Sequence, residues 1–419
     1  MEKEIQVKPM VIPPIASVKV NKTELVYDLP AGDDTYIVTL PVWGYAKYYI
    51  NWGDGKETQI ITDDTNDDNF PSKTLAAGRK YTIKIWGKIW RYGNSGVDSN
   101  EYLIEVKKIG PLNLTYAFHQ AINLVKVPKR LPRGVYDLSY MFQNCYVFNQ
   151  QLDKWDVSSV SNMAGMFVNA TNFNQPLDKW DVSSVTNMAG MFSNAKNFNQ
   201  PLDKWDVSSV ENMEEMFAGA TSFNQPLNNW DVSNVTNMIT IFGGATSFNQ
   251  PLNNWDVSNV TVFLDMFIGA ISFNQPLNHW NVSNVGIMTQ MFKNATSFNQ
   301  PLNNWNVSNV INMSSMFANA ISFNQPLHDW NWTNISSANM SSMLDNCGMS
   351  QYNFQLTLVG WYNIFSTLPI PETSKHFGAK GLVYNPARII VNLVEDTPVY
   401  ANDNSWFVAD DAIAVNFDL

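Results

Sequence analysis

The chain has two cysteines in 419 residues, four histidines, and charged residues at only 15%. No uninterrupted apolar run reaches the roughly 18–20 residues that a membrane-spanning helix needs. Two cysteines cannot build a disulfide framework, and His119, His279, His328 and His376 lie scattered, without metal-ligand spacing. Basic residues are in the minority: 26 Lys and Arg against 37 Asp and Glu, a formal charge of −11. That balance excludes the basic stripe on which nucleic-acid binding depends and disfavours an anionic membrane surface. The opening "MEKEIQVKPMVIPPIASVKV" lacks the apolar core and small-residue cleavage site of a signal peptide, so conventional secretion is not expected.

Chemical motifs are missing too. There is no G-x-S-x-G, H-E-x-x-H, P-loop or G-x-G-x-x-G, so neither catalysis nor a cofactor is expected. The acidic stretch at 63–69 begins like a calcium loop, with Asp64, Asn66 and Asp68. Asn69 then stands where the loop needs glycine and Leu75 where it needs glutamate, which excludes an EF-hand.

What the chain does have is a period. Trp155, Trp180, Trp205, Trp230, Trp255, Trp280, Trp305 and Trp330 follow one another at 25 residues. A fixed period of this size marks units that cover one another's apolar faces. Leu177, Trp180 and Val182 match the strand half of a leucine-rich repeat, L-x-x-L-x-L. Met188, Met191, Phe192 and Ala195 fall at i, i+3, i+4 and i+7, predicting one face of a short helix. Residues 109–360 are thus expected to form an α/β repeat solenoid, a short strand plus a short helix per 25-residue coil. "LTYAFHQA" and "NMSSMLDNCGMSQYNF" read as its caps.

Residues 23–108 alternate apolar and polar between turn signals, predicting an antiparallel β-sandwich. Residues 1–22 read as an extended arm, and 361–419 as a small β-rich tail. Cys145 and Cys347 share the alanine column of the repeat at opposite ends of the array. They are therefore expected to be reduced, buried spacers too far apart to bond.

On the exposed strand face, the expected protein-binding surface of the solenoid, the residue after each tryptophan gives a column of Asp156, Asp181, Asp206, Asp231 and Asp256, continued by asparagines. The residue before it gives Lys154, Lys179 and Lys204. Like charges stacked on a sheet repel. The column therefore either serves a cationic partner or an ion, or is satisfied by Ser, Asn and Lys neighbours; Asp231 and Asp256 lack the lysine. The recurring Phe-Asn-Gln turn, with Asn149, Asn174 and Asn199, is expected to place its amides on the next coil's backbone. Sequons such as those at Asn169 and Asn234 recur because the repeat does.

The repeat "FNQPL.KWDVSSVTNMAGMF.NA" resembles that of the BspA-like leucine-rich-repeat surface proteins. "CGMSQYNFQLTLVGWYN" and "HFGAKGLVYNPA" are similar to the segment that follows such arrays. "YINWGDG" with "RKYTIKIWG" resembles the PKD-type β-sandwich that often precedes them. The resemblance implies surface display and adhesion through protein partners, with no catalysis. The missing leader departs from the bacterial pattern and leaves a second expectation open, a structural component of an assembled particle such as a virion, or an intracellular location.

Overall fold

The computed structural model describes residues 22–32, 34–62, 70–94, 96, 100–110, 112–331, 337–365, 375–384, 407–410 and 413–414. The acidic stretch at 63–69, the arm as far as residue 21 and most of the expected tail lie outside the described residues.

The N-terminal part is antiparallel. Strands β1 (Thr23–Asp28), β3 (Val42–Asn51), β4 (Glu57–Thr62), β6 (Lys80–Tyr92) and β7 (Leu103–Lys108) form one sheet in the order β4-β3-β6-β1-β7. Strands β2 (Thr35–Thr39) and β5 (Ser72–Ala76) pair separately. Period-2 alternation puts Leu25, Tyr27, Ile83 and Ile85 inside, all at 1% exposure or less. Tyr27, Tyr92 and Asn100 share a buried hydrogen-bond network, and burial pushes both tyrosines above their ordinary pKa.

The expectation of an α/β repeat solenoid is wrong. The protein is mostly strands and turns, and the described residues hold a single α-helix, α1 (Gln351–Phe365), outside the tryptophan-bearing units. Neither the strand nor the helix expected in each unit forms. The leucine-tryptophan segment closes as turns, Trp180 N–H donating to Leu177 O (3.0 Å) and Val185 N–H to Val182 O (2.9 Å). Parallel pairing is limited to isolated bridges such as Asn162↔Asn187 and Asn187↔Asn212.

The expected helix fails for a backbone reason. Gly190 and Asn194 have φ of 61° and 56°, and the equivalent positions are left-handed from Tyr140 and Asn144 to Ser342 and Asn346. A residue of that hand every fourth position interrupts the i→i−4 ladder of a helix. The chain instead makes tandem turns: Met191 N–H to Met188 O, Ser193 to Gly190, Ala195 to Phe192, at 3.0–3.1 Å. These turns keep Met188, Met191, Phe192 and Ala195 fully buried, so the inward pattern of a helix survives without the helix.

The remaining amides join the units. Met188, Gly190, Phe192 and Asn194 donate to the carbonyls of Asn212, Glu214, Met216 and Ala218 in the next unit, at 2.6–2.9 Å. The carbonyls of Asn187, Ala189, Met191 and Ser193 accept from the unit before. Every donor of the set points toward the C-terminal units and every acceptor toward the N-terminal ones. In an ordinary strand successive groups point to opposite edges; here the peptide dipoles align along the stack, as they do in a helix.

Side chains repeat the arrangement. Trp180, Trp205, Trp230, Trp255, Trp280, Trp305 and Trp330 each donate Nε1–H to the leucine carbonyl 28 residues earlier, at 2.9–3.1 Å. Successive indoles lie parallel, Trp205 to Trp230 and Trp230 to Trp255 at 6.5 Å between centroids and within 3°. Phenylalanine columns stack beside them at 5.5–6.0 Å. Each Asn of the Phe-Asn-Gln turn accepts two bonds at Oδ1 from the next unit. Asn199 Oδ1, for one, takes Asn224 N–H and Gln225 Nε2–H, both at 2.9 Å.

Both ends of the stack are closed. The first rung, 114–121, exposes carbonyls, and Asn100 Nδ2 donates to two of them, Ala117 O (3.4 Å) and His119 O (3.1 Å). At the other end, Leu344 and Asn346 N–H donate to Gly378 O and Lys380 O, at 2.8 and 2.7 Å. Helix α1 completes the side-chain columns. Trp361 Nε1–H reaches Leu327 O at 2.7 Å, Thr357 Oγ1 accepts Leu327 N–H, and Asn353 Nδ2–H reaches Asn324 Oδ1 at 2.9 Å. Strand β8 (Lys375–Gly378) pairs in parallel with β10 (Phe407–Asp410), and β9 (Val383–Tyr384) with β11 (Ile413–Ala414). Cys145 and Cys347 are buried free thiols; burial raises the Cys347 pKa to about 11 and that of Cys145 further.

Candidate functional site

The aspartate column is exposed, but its inner oxygens are occupied. Oδ1 of Asp156, Asp181, Asp206 and Asp231 accepts both the backbone N–H and the hydroxyl of the serine two residues on, the hydroxyls at 2.6–2.7 Å. Asp256 accepts the Ser258 N–H at 3.0 Å. Hydrogen bonds from these serines, side chain first, hold the carboxyls of Asp156, Asp206 and Asp256 below their ordinary pKa. Lys154, Lys179 and Lys204 are exposed, and among the described residues no ion pair joins them to an aspartate. Serine therefore satisfies this column, and lysine does not.

The histidines are not brought together. His119 is buried against Tyr116, His279 is exposed, His328 lies 3.3 Å from Asp329, and His376 belongs to β8. Among the described residues, no three of His, Cys, Asp and Glu are grouped so as to hold a metal ion, and no helix is long and apolar enough to cross a membrane.

A different surface emerges when the units are compared position by position. Nine residues after each tryptophan, from Trp155 to Trp305, the chain reads Ala164, Ala189, Glu214, Ile239, Leu264, Thr289 and Ser314. The next position reads Gly165, Gly190, Glu215, Thr240, Asp265, Gln290 and Ser315. Three further on come Val168, Ser193, Ala218, Gly243, Ile268, Lys293 and Ala318. From Glu214 to Asp265 every residue of the first two columns is at least partly exposed, whereas Ala164, Ser193, Gly243 and Ala318 are buried. Between them the inward Met, Phe and Ala barely change, nor do the Phe-Asn-Gln-Pro-Leu residues that cross-link the units.

The contrast has a physical basis. The fourth residue after each tryptophan carries inter-unit bonds through its side chain, as Asn234 does when its Nδ2 donates to Ser208 O at 2.7 Å. From Ser159 to Asn309 that column holds only Ser and Asn. On the turn face the backbone makes the inter-unit bonds, and the outward side chains are released to differ.

The middle column departs from the cheapest choice. Its residues are left-handed, a conformation that costs an L-residue about 1–2 kcal/mol and glycine nothing. Gly165 has a second reason to be glycine, since a Cβ there would meet the Tyr140 ring at 2.3 Å. Gly190 does not; a Cβ would find only ordinary contacts from 3.7 Å. The following units nevertheless place Glu215, Thr240, Asp265 and Gln290 at φ of 54–56°. Gln290 uses its side chain to accept Lys293 Nζ at 2.8 Å; among the described residues no side-chain hydrogen bond is seen for Thr240 or Asp265 to offset the strain. Asp265 adds a polar orphan: its Oδ1 is buried without a hydrogen-bond partner, and burial raises its pKa. The sequence signal for this surface was present as difference among copies, whereas the aspartate column drew notice by being repeated.

No curated protein and no solved structure matches the chain. A family model, DUF285, described as Mycoplasma protein of unknown function, matches residues 112–219, 200–296 and 241–357. Those matches leave residues 23–108 untouched, so the PKD-type resemblance there is carried by its motifs alone. The matched segments overlap and together span 112–357, more than half of the sequence and nearly the whole stack of turns; the chain belongs to the DUF285 repeat family.

Proposed function

We propose that this repeat protein is a non-enzymatic, surface-displayed adhesion protein that binds protein partners through the outer face of its tandem turns. One observation carries the reading: the near-identical units differ chiefly there, and they keep strained side chains where glycine would be cheaper. Ile239 and Leu264, partly exposed on neighbouring units, add apolar surface to this face. Repeat stacks offer extended surfaces of this kind to large partners.

The test resets the face to the first units' residues, with Glu214, Ile239 and Leu264 changed to Ala and Glu215, Thr240 and Asp265 to Gly. Beads coated with the intact chain should adhere to host-type protein matrices, and beads coated with the reset chain should lose that adhesion while still melting cooperatively. Undiminished adhesion of a folded reset chain would remove the turn face from the proposal.

A further inference from the structure

The binding face has a centre with its own chemistry, and its composition specifies the partner. Within successive units, Glu214 and Glu215 are followed by Ile239, and then by Leu264, Asp265 and Ile268. The apolar residues are only half-buried. The Glu214 carboxylate is oriented by Asn237, whose Nδ2–H it accepts at 3.1 Å. Asp265 offers a buried oxygen that no group of the chain meets. Lys293, on the next unit, is tied at its Nζ to Gln290 Oε1 at 2.8 Å and marks the far border.

We propose that this centre docks a cationic amphipathic polypeptide segment, with Lys or Arg side chains spaced between aliphatic ones. The inference rests on the adhesive reading above and gives it a partner class. Aliphatic side chains of such a segment cover Ile239, Leu264 and Ile268, removing apolar surface from water. Its cations meet Glu214 and Glu215 across a partly dehydrated contact, where charge pairing is stronger than in bulk water. Lys293 already lies near Asp265, so an anionic or purely apolar segment would leave Glu214 and Glu215 without a cation. Two or three stacked units, with rings 5.8 and 6.5 Å apart, match the length of a few residues of extended chain.

The probe is a fluorescent peptide of alternating lysine and leucine, with its glutamate-leucine counterpart as control, titrated by anisotropy near 0.15 M salt. Two full-length variants carry the same change in charge: E214Q/E215Q/D265N on the turn face, and D181N/D206N/D231N on the aspartate column. The lysine-leucine peptide should bind the wild type and lose at least about tenfold in affinity against the first variant. The second should stay within about twofold, since charges off the interface act weakly at this salt. Equal losses in both would show attraction by net charge alone and overturn the proposal, as would absent binding or preference for the glutamate-leucine peptide. Loss of matrix adhesion in the reset chain without selective peptide binding would retire the partner class and leave the adhesive reading standing. Both triples replace carboxylates with amides of the same shape, and matching melting curves establish that folding is not the variable.

Discussion

Replacing Thr240 with glycine should stabilise the protein. Thr240 sits at φ 56°, a left-handed conformation unusual for a β-branched residue. Its N–H donates to Leu264 O at 2.9 Å and its carbonyl accepts Gly243 N–H at 2.9 Å. Both bonds belong to the backbone and survive the substitution. The side chain is partly exposed, so little apolar area is lost. Relief of the left-handed conformation is worth about 1–2 kcal/mol, and the added freedom of glycine in the unfolded chain takes back about 0.5–1 kcal/mol. The net gain is about 0–1.5 kcal/mol, centred on about 0.7, or roughly 1 °C in Tm for a chain of this size. Urea unfolding followed by tryptophan emission should move to a higher midpoint with an unchanged slope. Glycine at Asp265 should raise the midpoint further, because it also removes the buried carboxylate oxygen that has no partner. A lower midpoint for Thr240→Gly would mean that the side chain serves the fold, and the argument for a strained binding column would fail.

Three other perturbations address the stack. Asn224→Ala deletes the oxygen that accepts Asn249 N–H and Gln250 Nε2–H, at 2.9 and 3.0 Å; leaving that amide unpaired should cost about 1–3 kcal/mol by urea titration. Trp361→Ala removes a fully buried cap side chain and its bond to Leu327 O. It should cost about 3–5 kcal/mol and raise hydrogen exchange first in the units nearest α1. Asp156, Asp206 and Asp256 have depressed pKa values in the folded state. Their contribution is therefore full above the unfolded carboxylate value of about 3.9 and lost as pH falls below it through the folded one. An Asp156→Asn/Asp206→Asn/Asp256→Asn chain should show a shallower loss of Tm than wild type between about pH 4 and pH 2, and parallel curves would count against the serine bonds.

The core of the repeat was legible in the sequence. The residues at i, i+3, i+4 and i+7 are the buried ones, and the tryptophans do line up. The backbone between them was not legible, because tandem turns and a helix bury the same positions. The discriminating residues were Gly190 and Asn194, two left-handed formers four apart in "AGMFSNA", matched by Gly165 and Asn169; in the later units only the second position keeps Gly or Asn. Helix α1 was missed for the opposite reason. Phe354, Leu358 and Trp361 hold helical spacing, but the first turn has no acidic residue and the last no basic one, and Gly360 interrupts the run. The asparagine turn was legible in part: each Asn meets the next unit's backbone as expected, but its second bond is to a glutamine side chain, as Asn199 Oδ1 shows with Gln225 Nε2–H. The aspartate column was legible as a column only; that serine satisfies it and lysine does not depends on side-chain distances that spacing cannot supply.

The account depends above all on donors in each unit meeting acceptors in the next at a fixed offset along the chain. Thermal unfolding of two internal deletions tests this directly. Removing residues 206–230 takes out one whole unit and rejoins Trp205 to Asp231, restoring every inter-unit bond. Removing residues 206–229 leaves one residue too many and puts the outward side chains of a rung into the core. The first deletion should melt cooperatively close to wild type, and the second should lose cooperative melting; indistinguishable melting of the two would contradict the proposed register.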